Sequence, residues 1–519
     1  MGYCRVTLWA LFFEFALSAV AFSQDVTLTS RDGSIEINGT LLGYDGEFYR
    51  VDSIYGELTL DGSGVQCSGP GCPDMGAYVP DIRFSGARAF GTRLMPALID
   101  AFAILHGYSV EITERGEQNS VFVLAESDSG QTAARFFVNI STSAEGFADL
   151  LADESDLVMS AREATDQEIR LGAEAGFGDI SSADQSRVIA LDALLPIVSP
   201  RNSVQQLSLV DLARVYAGEV SNWGDLGGLD APIILHLPAP DNGILRVFLA
   251  RIMGPAGRDV AADTIRHQSD AALVQAVASD PFAIGLATLS KLQDVRPLTL
   301  TGSCGFRADF TAEALKSDDY PLTAPIFMYQ RDGRLPAIGR DFLRFLNSPA
   351  AQVAILQAGF VDQTVSRTPV GRQGVRLANA IQAAGDEIQL DDLQRLVSAM
   401  TGARRLSVTF RFDDGSSGMT AQSRSNVSLL ARALETGIIG AGELVFAGFS
   451  DAEGRADTNR SLSRKRASAV REAVALAAAT ADPRQVKLKI DGFGEAMPMA
   501  CDDTEWGRQI NRRVEVWAR

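Results

Sequence analysis

The stretch Gly448 to Ala467, GFSDAEGRADTNRSLSRKRA, limits what this chain can fold into more than any other. An apolar run, Val445 to Phe449, reads as a strand and ends in a polar loop carrying Asp451 and Gly454. From Asn459 onward, apolar or small residues recur at Leu462, Ala467, Val470 and Val474, the spacing of one buried helix face. Asp451 therefore falls on a loop, and Arg466 on the helix that follows. Around them the pattern predicts strands at Arg404 to Arg411, Val486 to Ile490 and Arg513 to Trp517, with another helix at Ser423 to Leu434. The order is β-α-β-α-β with a final strand.

Two further pieces accompany this loop and helix: the turn Gly492-Phe493-Gly494-Glu495 and the run Asn511-Arg512-Arg513-Val514-Glu515. Together, F-S-D-x-x-G, N-x-x-L-S-x-x-R-A, G-x-G-E and N-R-R-V-E resemble the OmpA C-terminal-like domain, which holds cell-envelope proteins against peptidoglycan. The resemblance implies that Asp451 and Arg466 grip the diaminopimelate of the peptide stem, with Asn459, Arg512 and Arg513 as further candidates. Of the two last arginines, one is expected to line the pocket and the other to be a surface charge on the final strand. Diaminopimelate offers an ammonium and a carboxylate on one stereocentre. A carboxylate meets the first, and a planar guanidinium takes the second in a two-pronged hydrogen bond that lysine cannot copy. The bland alternative is that Asp451 caps the loop or helix and Arg466 is a solvated charge.

Residues 80–370 change pattern, to apolar strands alternating with helical stretches, the mark of an α/β domain with a parallel sheet. Arg93 to Leu105 reads as an amphipathic helix, Asp156 to Met159 as a strand ending at Ser160, and Val188 to Ala193 and Leu195 to Val198 as two more strands. The segments SGARAFGTRLMPALIDAFA, DLVMSARE, YAGEVSNWGDLGG, PFAIGLATLS and FLRFLNSPAAQVAILQAGFV resemble the type II periplasmic solute-binding fold of the PstS phosphate-binding kind. That fold implies two lobes closing on a ligand, with donors at loop and helix N-termini, where exposed N–H groups and the helix dipole favour an anion.

The chain departs from the family where the anion would sit. Gly86-Ala87-Arg88-Ala89 stands in place of a hydroxyl-bearing first loop. Pro238-Ala239-Pro240-Asp241-Asn242-Gly243-Ile244 lacks the expected arginine and threonine, and Ala161 follows Ser160 where an acid belongs. Each lost donor to a charged oxyanion costs roughly 1.5–3 kcal/mol, so orthodox phosphate capture is expected to be weak. Ala87, Arg88, Ser160, Arg162, Asn242, Gly243 and Arg246 are the cleft candidates. Arg88, Arg162 and Arg246 form either a different anion site or surface charges on neighbouring helices.

With 519 residues, three or four folded units are expected. Residues 1–23 read as a secretory signal, an apolar run after Arg5 ending at Ala21-Phe22-Ser23, and no later segment reads as membrane-spanning. Residues 24–79 alternate in short stretches with Gly and Asp between them, a small β unit. In an exported protein Cys67 and Cys72 are expected to form a disulfide, with a zinc knuckle as the alternative, while Cys304 and Cys501, in different domains, are expected to be free and buried, with an interdomain bond as the alternative. Residues 371–400 read as a hydrophilic linker with one helix, Leu390 to Met400, before the final domain at 401–519. The whole is a multidomain α/β chain.

A net charge of −18 argues against nucleic acid as a partner. Residues 401–519 carry 18 Lys plus Arg against 15 Asp plus Glu, a mildly basic end suited to an anionic polymer. His106, His236 and His267 lack metal-ligand spacing, and no nucleophile elbow, P-loop or dinucleotide fingerprint occurs, so neither enzyme activity nor a metal or cofactor is expected. Gly172 to Gly178 reads as a surface loop. The expectation is a periplasmic, peptidoglycan-anchored solute-binding protein associated with the outer membrane. Its body is expected to bind phosphate or another small anion, alone or with a transporter of the ABC class. The alternative is a structural scaffold whose body binds an envelope protein.

Overall fold

The computed structural model describes residues 25–519 apart from 75–77, 115–117, 241, 293, 386, 413–417, 441 and 483. The expected signal segment lies outside the described residues. The chain divides into two compact units, Met1–Pro80 and Asp81–Arg519.

The first unit is an antiparallel sheet in the order Gly56–Asp61, Phe48–Ser53, Glu36–Tyr44, Asp25–Ser30, Val65–Ser68. Strand alternation turns Val26, Leu28, Tyr49 and Val51 to one buried face. Gly39 is required there, because a Cβ would stand 2.3 Å from the Asp52 carbonyl oxygen. Cys67 and Cys72 are joined, which removes the zinc alternative.

The second unit begins with a two-lobed α/β body. In its first lobe Asp81–Ala87 runs parallel to both Thr132–Ser141 and Leu157–Ser160. In its second lobe Ile234–Pro238 runs parallel to Ala283–Thr288 and Ile265–His267. One strand, Ser186–Val198, joins the lobes into a continuous sheet: its first half pairs with Thr323–Gln330 and its second with Ala283–Thr288. Sequence pattern splits this strand in two, but all of it save Arg187 is buried, so no solvent-facing break interrupts it. The helix Leu94–His106 packs Leu94, Leu98 and Phe102 into the first lobe and stops at Gly107, whose φ of 76° suits the left-handed cap. The segment expected to be a loop at Gly172 to Gly178 starts inside a helix, Asp166–Glu174.

The C-terminal module is a sheet in the order Arg367–Pro369, Arg404–Arg411, Arg513–Ala518, Gly442–Gly448, Val486–Gly492. Leu444, Phe446, Val514 and Val516 face the helices Ala421–Glu435 and Ala456–Ala477. Their alternates Val445, Ala447 and Trp517 face the other way, into a second core with Leu396 and Met400. The stretch expected to be a linker thus forms two helices, Gly374–Ala383 and Leu390–Met400, that cover the sheet's second face.

Body and module share buried ion pairs. Arg405 holds Asp319 through both guanidinium nitrogens, and Arg411 Nε donates to Asp318 Oδ2 at 2.9 Å. Glu515, fully buried, accepts from Arg376 at 2.5 Å and Arg513 at 2.7 Å and lies 3.3 Å from Arg405. Contrary to expectation, Cys304 of the body and Cys501 of the module form a disulfide.

Candidate functional site

Tight helix-to-sheet packing builds the site around Asp451. A Cβ on Gly448 would meet the Ser463 carbonyl oxygen at 2.0 Å, and one on Gly492 the Arg464 backbone nitrogen at 2.6 Å. Only glycine at the ends of these neighbouring strands lets Ala456–Ala477 cross so closely. The loops after the two strands are then stitched together. Buried Asn459 donates to the Asp451 carbonyl and to Glu495 Oε2, each at 3.3 Å, and Ser463 Oγ accepts the Gly494 N–H at 3.0 Å.

Asp451 is largely buried and its Oδ2 accepts from Arg512 at 2.8 Å. Arg512 also reaches Glu505 Oε1 at 3.1 Å. Arg466 lies 5.3 Å from the ring centre of Phe412, and its NH1 is buried without a hydrogen-bond partner among the described residues. Burial first and Arg512 second lower the Arg466 pKa, while Asp451 counteracts them, so the three charges share one field. Arg466 is thus a desolvated cation with donor capacity to spare.

Two carboxylates that sequence pattern did not single out stand beside Asp451. Burial raises the pKa of Asp502, whose carboxylate accepts from Asn511 and the Ala452 N–H and feels Asp451. Glu495 is raised by burial too, with Asn459 offsetting it and Glu387, Asp502 and Asp451 adding to it. Acidic groups whose protonation is promoted by crowding are eased by an incoming ammonium. The position of Glu495 in the G-x-G-E turn was the available signal; nothing local marked Asp502.

Arg513 corrects an expectation. It is fully buried, donates to Glu515 and to the Met497 carbonyl, and stacks 4.3 Å from the centre of Phe449. It is neither a surface charge nor open to a ligand. The final strand has no solvent face, because the 374–400 helices cover the side bearing Arg513, Glu515 and Trp517.

In the body, Ser160 is buried and its hydroxyl donates to the Arg162 carbonyl at 2.7 Å. Arg162 is taken up by Glu168, with both guanidinium nitrogens bonded at 2.7 and 2.8 Å. The N–H of Ala161 donates to Ser143 Oγ, a residue sequence pattern passed over. Asn242 Oδ1 accepts the Ile244 and Leu245 N–H groups of its own turn. Gly243 packs so that a Cβ would stand 3.1 Å from Ala161 Cβ and 3.2 Å from Ser143 Oγ. The lobes therefore touch where the resemblance puts a ligand. Ala87 is buried, whereas Arg88 and Arg246 are exposed and without an ion-pair partner among the described residues. His236 and His267, far apart in sequence, meet at 2.8 Å between ring nitrogens, and no group of three or more metal-ligating side chains occurs among the described residues.

This is the architecture of a two-lobed body of the binding-protein type joined to an OmpA-type module. Residues 95–350 match the PBP superfamily domain, and residues 411–512 the OmpA family, so the chain carries one domain of each. The protein SphX of Synechocystis is 25% identical over 246 residues, spanning 45% of this chain and 71% of that protein. The phosphate-binding protein PstS of Bacillus subtilis is 26% identical over 189 residues, 36% of this chain and 61% of that one. An ABC-type phosphate transport receptor from Vibrio cholerae is 20% identical with a TM-score of 0.42, covering 54% of this chain and 99% of that structure. Among the described residues no helix is long and apolar enough to cross a membrane.

Proposed function

We propose that the protein is exported to the periplasm and held on peptidoglycan by its C-terminal module, with the PBP-type body carried at the wall. The observation that carries this is Asp451, ion-paired with Arg512, in the electrostatic field of an Arg466 whose buried N–H lacks a partner among the described residues. A ligand's carboxylate satisfies Arg466 and competes for Arg512, while its ammonium settles among Asp451, Glu495 and Asp502. The diaminopimelate centre has both groups at the required proximity, and a guanidinium fork fixes its orientation. Sedimentation with purified peptidoglycan tests this. Asp451→Ala with Arg466→Ala is expected to leave the protein in the supernatant; retention equal to the wild type overturns the assignment.

For the body, the engaged Ser160, Ala161 and Arg162 favour a second reading, a scaffold that docks an envelope protein, over tight capture of phosphate between the lobes. Calorimetric titration with phosphate separates the two. Ser143→Ala and Arg88→Gln are expected to leave phosphate binding unchanged. A tenfold loss in either restores a classical interlobe receptor site.

A further inference from the structure

A second place in the molecule lacks charge balance. The ion pairs between body and module are matched almost throughout: Arg405 has Asp319, and Arg411 has Asp318 and Asp319. Arg187 and Arg432 are not matched. Both line a cavity of about 240 Å³ between the start of the crossing strand and the helix Ala421–Glu435. Arg187 donates only to neutral oxygens, the Asp184 carbonyl at 3.2 Å and Gln330 Oε1 at 3.3 Å. Neither guanidinium has a carboxylate within ion-pair distance among the described residues. Burial lowers the Arg187 pKa first and the positive charge of Arg432 lowers it further, with Asp184 opposing. Two half-buried cations facing each other repel, and an anion between them removes that cost.

The rest of the lining is rich in donors. Ser425, Ser428 and Arg432 fall at i, i+3 and i+7 of the helix, one stripe turned to the cavity. Ser425 Oγ accepts the Val188 N–H at 3.1 Å, which leaves its own proton to donate. Gln363 Nε2 is buried with no hydrogen-bond partner among the described residues. Asp184, exposed, is the single carboxylate in the lining.

We propose that this cavity binds a small tetrahedral oxyanion of the phosphate or sulfate class, clamped between Arg187 of the body and Arg432 of the module. The site is separate from the interlobe cleft and from the Asp451 pocket. Donors predominate in it, so it accepts fully ionised sulfate as readily as phosphate. Its anion bridges strand and helix across the seam, and binding therefore strengthens the attachment of body to module.

The test is calorimetric titration of the full exported chain with inorganic phosphate and, separately, sulfate, alongside thermal melts in anion-free buffer. The wild type is expected to bind one equivalent of either anion. Arg187→Gln and Arg432→Gln are each expected to weaken binding at least about tenfold, the order of one charge-assisted hydrogen bond. Arg88→Gln, at the mapped cleft, is expected to change nothing. In anion-free buffer the Arg432→Gln protein is expected to melt no lower than the wild type, since repulsion is relieved, and to lose the stabilising shift that anion gives the wild type. Absence of binding by the wild type, undiminished binding by either glutamine variant, or a lower melting temperature of Arg432→Gln without anion each overturns the proposal.

Discussion

Glu515 and Asp192 are both buried carboxylates, and their surroundings push them in opposite directions. Burial alone would raise Glu515, but Arg376, Arg405 and Arg513 hold it well below the usual glutamate range. Its contribution to stability is present above the unfolded-state pKa and fades only as pH falls through the much lower folded value. Glu515→Gln strands buried guanidinium charge and is expected to cost about 3–5 kcal/mol in denaturant unfolding at neutral pH. Asp192, on the crossing strand, is raised by burial to about 7, with the Ala193 and Leu289 N–H groups partly offsetting it. Between the ordinary aspartate value and about 7 the folded state binds the extra proton, so stability falls as pH rises through that window. Asp192→Asn is expected to flatten this slope, by a few kcal/mol across the window at most. An unchanged slope contradicts the assignment. At this scale the sequence pattern put Asp451 on a loop and Arg466 on the next helix, where the structure has them, and left open which of Arg512 and Arg513 stands beside Asp451. It misplaced Arg513 because the burial of one strand face depends on helices more than a hundred residues earlier in the chain.

The helices Gly374–Ala383 and Leu390–Met400 show what pattern leaves out at the scale of elements. Leu390 to Met400 is legibly amphipathic, but its partner, the second face of the Gly442–Gly448 strand, is marked only by apolar residues at consecutive positions, Leu444 to Ala447. Such a run signals a strand buried on both sides without naming what covers it. Glu387 and Asp392 tie this layer to the Asp451 site, the first accepting the Ala456 N–H at 2.8 Å and the second pairing with Arg460 at 3.0 Å. The Cys304–Cys501 bond was equally hidden, because a separation of 197 residues offers no local cue. It closes a long loop in the unfolded chain, and Cys304→Ser with Cys501→Ser is expected to lower stability by about 2–5 kcal/mol. Urea unfolding checks this; a loss below about 0.5 kcal/mol would show that the ion pairs alone hold the seam.

For the molecule as a whole, the ion pairs and the Cys304–Cys501 bond across the seam are expected to make body and module one cooperative block. Asp318→Ala with Asp319→Ala leaves Arg411 buried without its acidic partners and Arg405 with Glu515 alone. Differential scanning calorimetry is expected to show a single transition for body and module in the wild type, split or broadened in this variant; two separate transitions in the wild type would contradict it. A rigid block suits the proposed wall-held role, since it would keep whatever the body engages at a fixed place relative to the module. The most direct measurement is the affinity of the full chain for purified diaminopimelate-type peptidoglycan, with Asp451→Ala and Arg466→Ala singly and together. The account predicts saturable binding that drops about tenfold or more in each single variant and disappears in the double variant. Wild-type affinity in the double variant, with its fold intact, would contradict it.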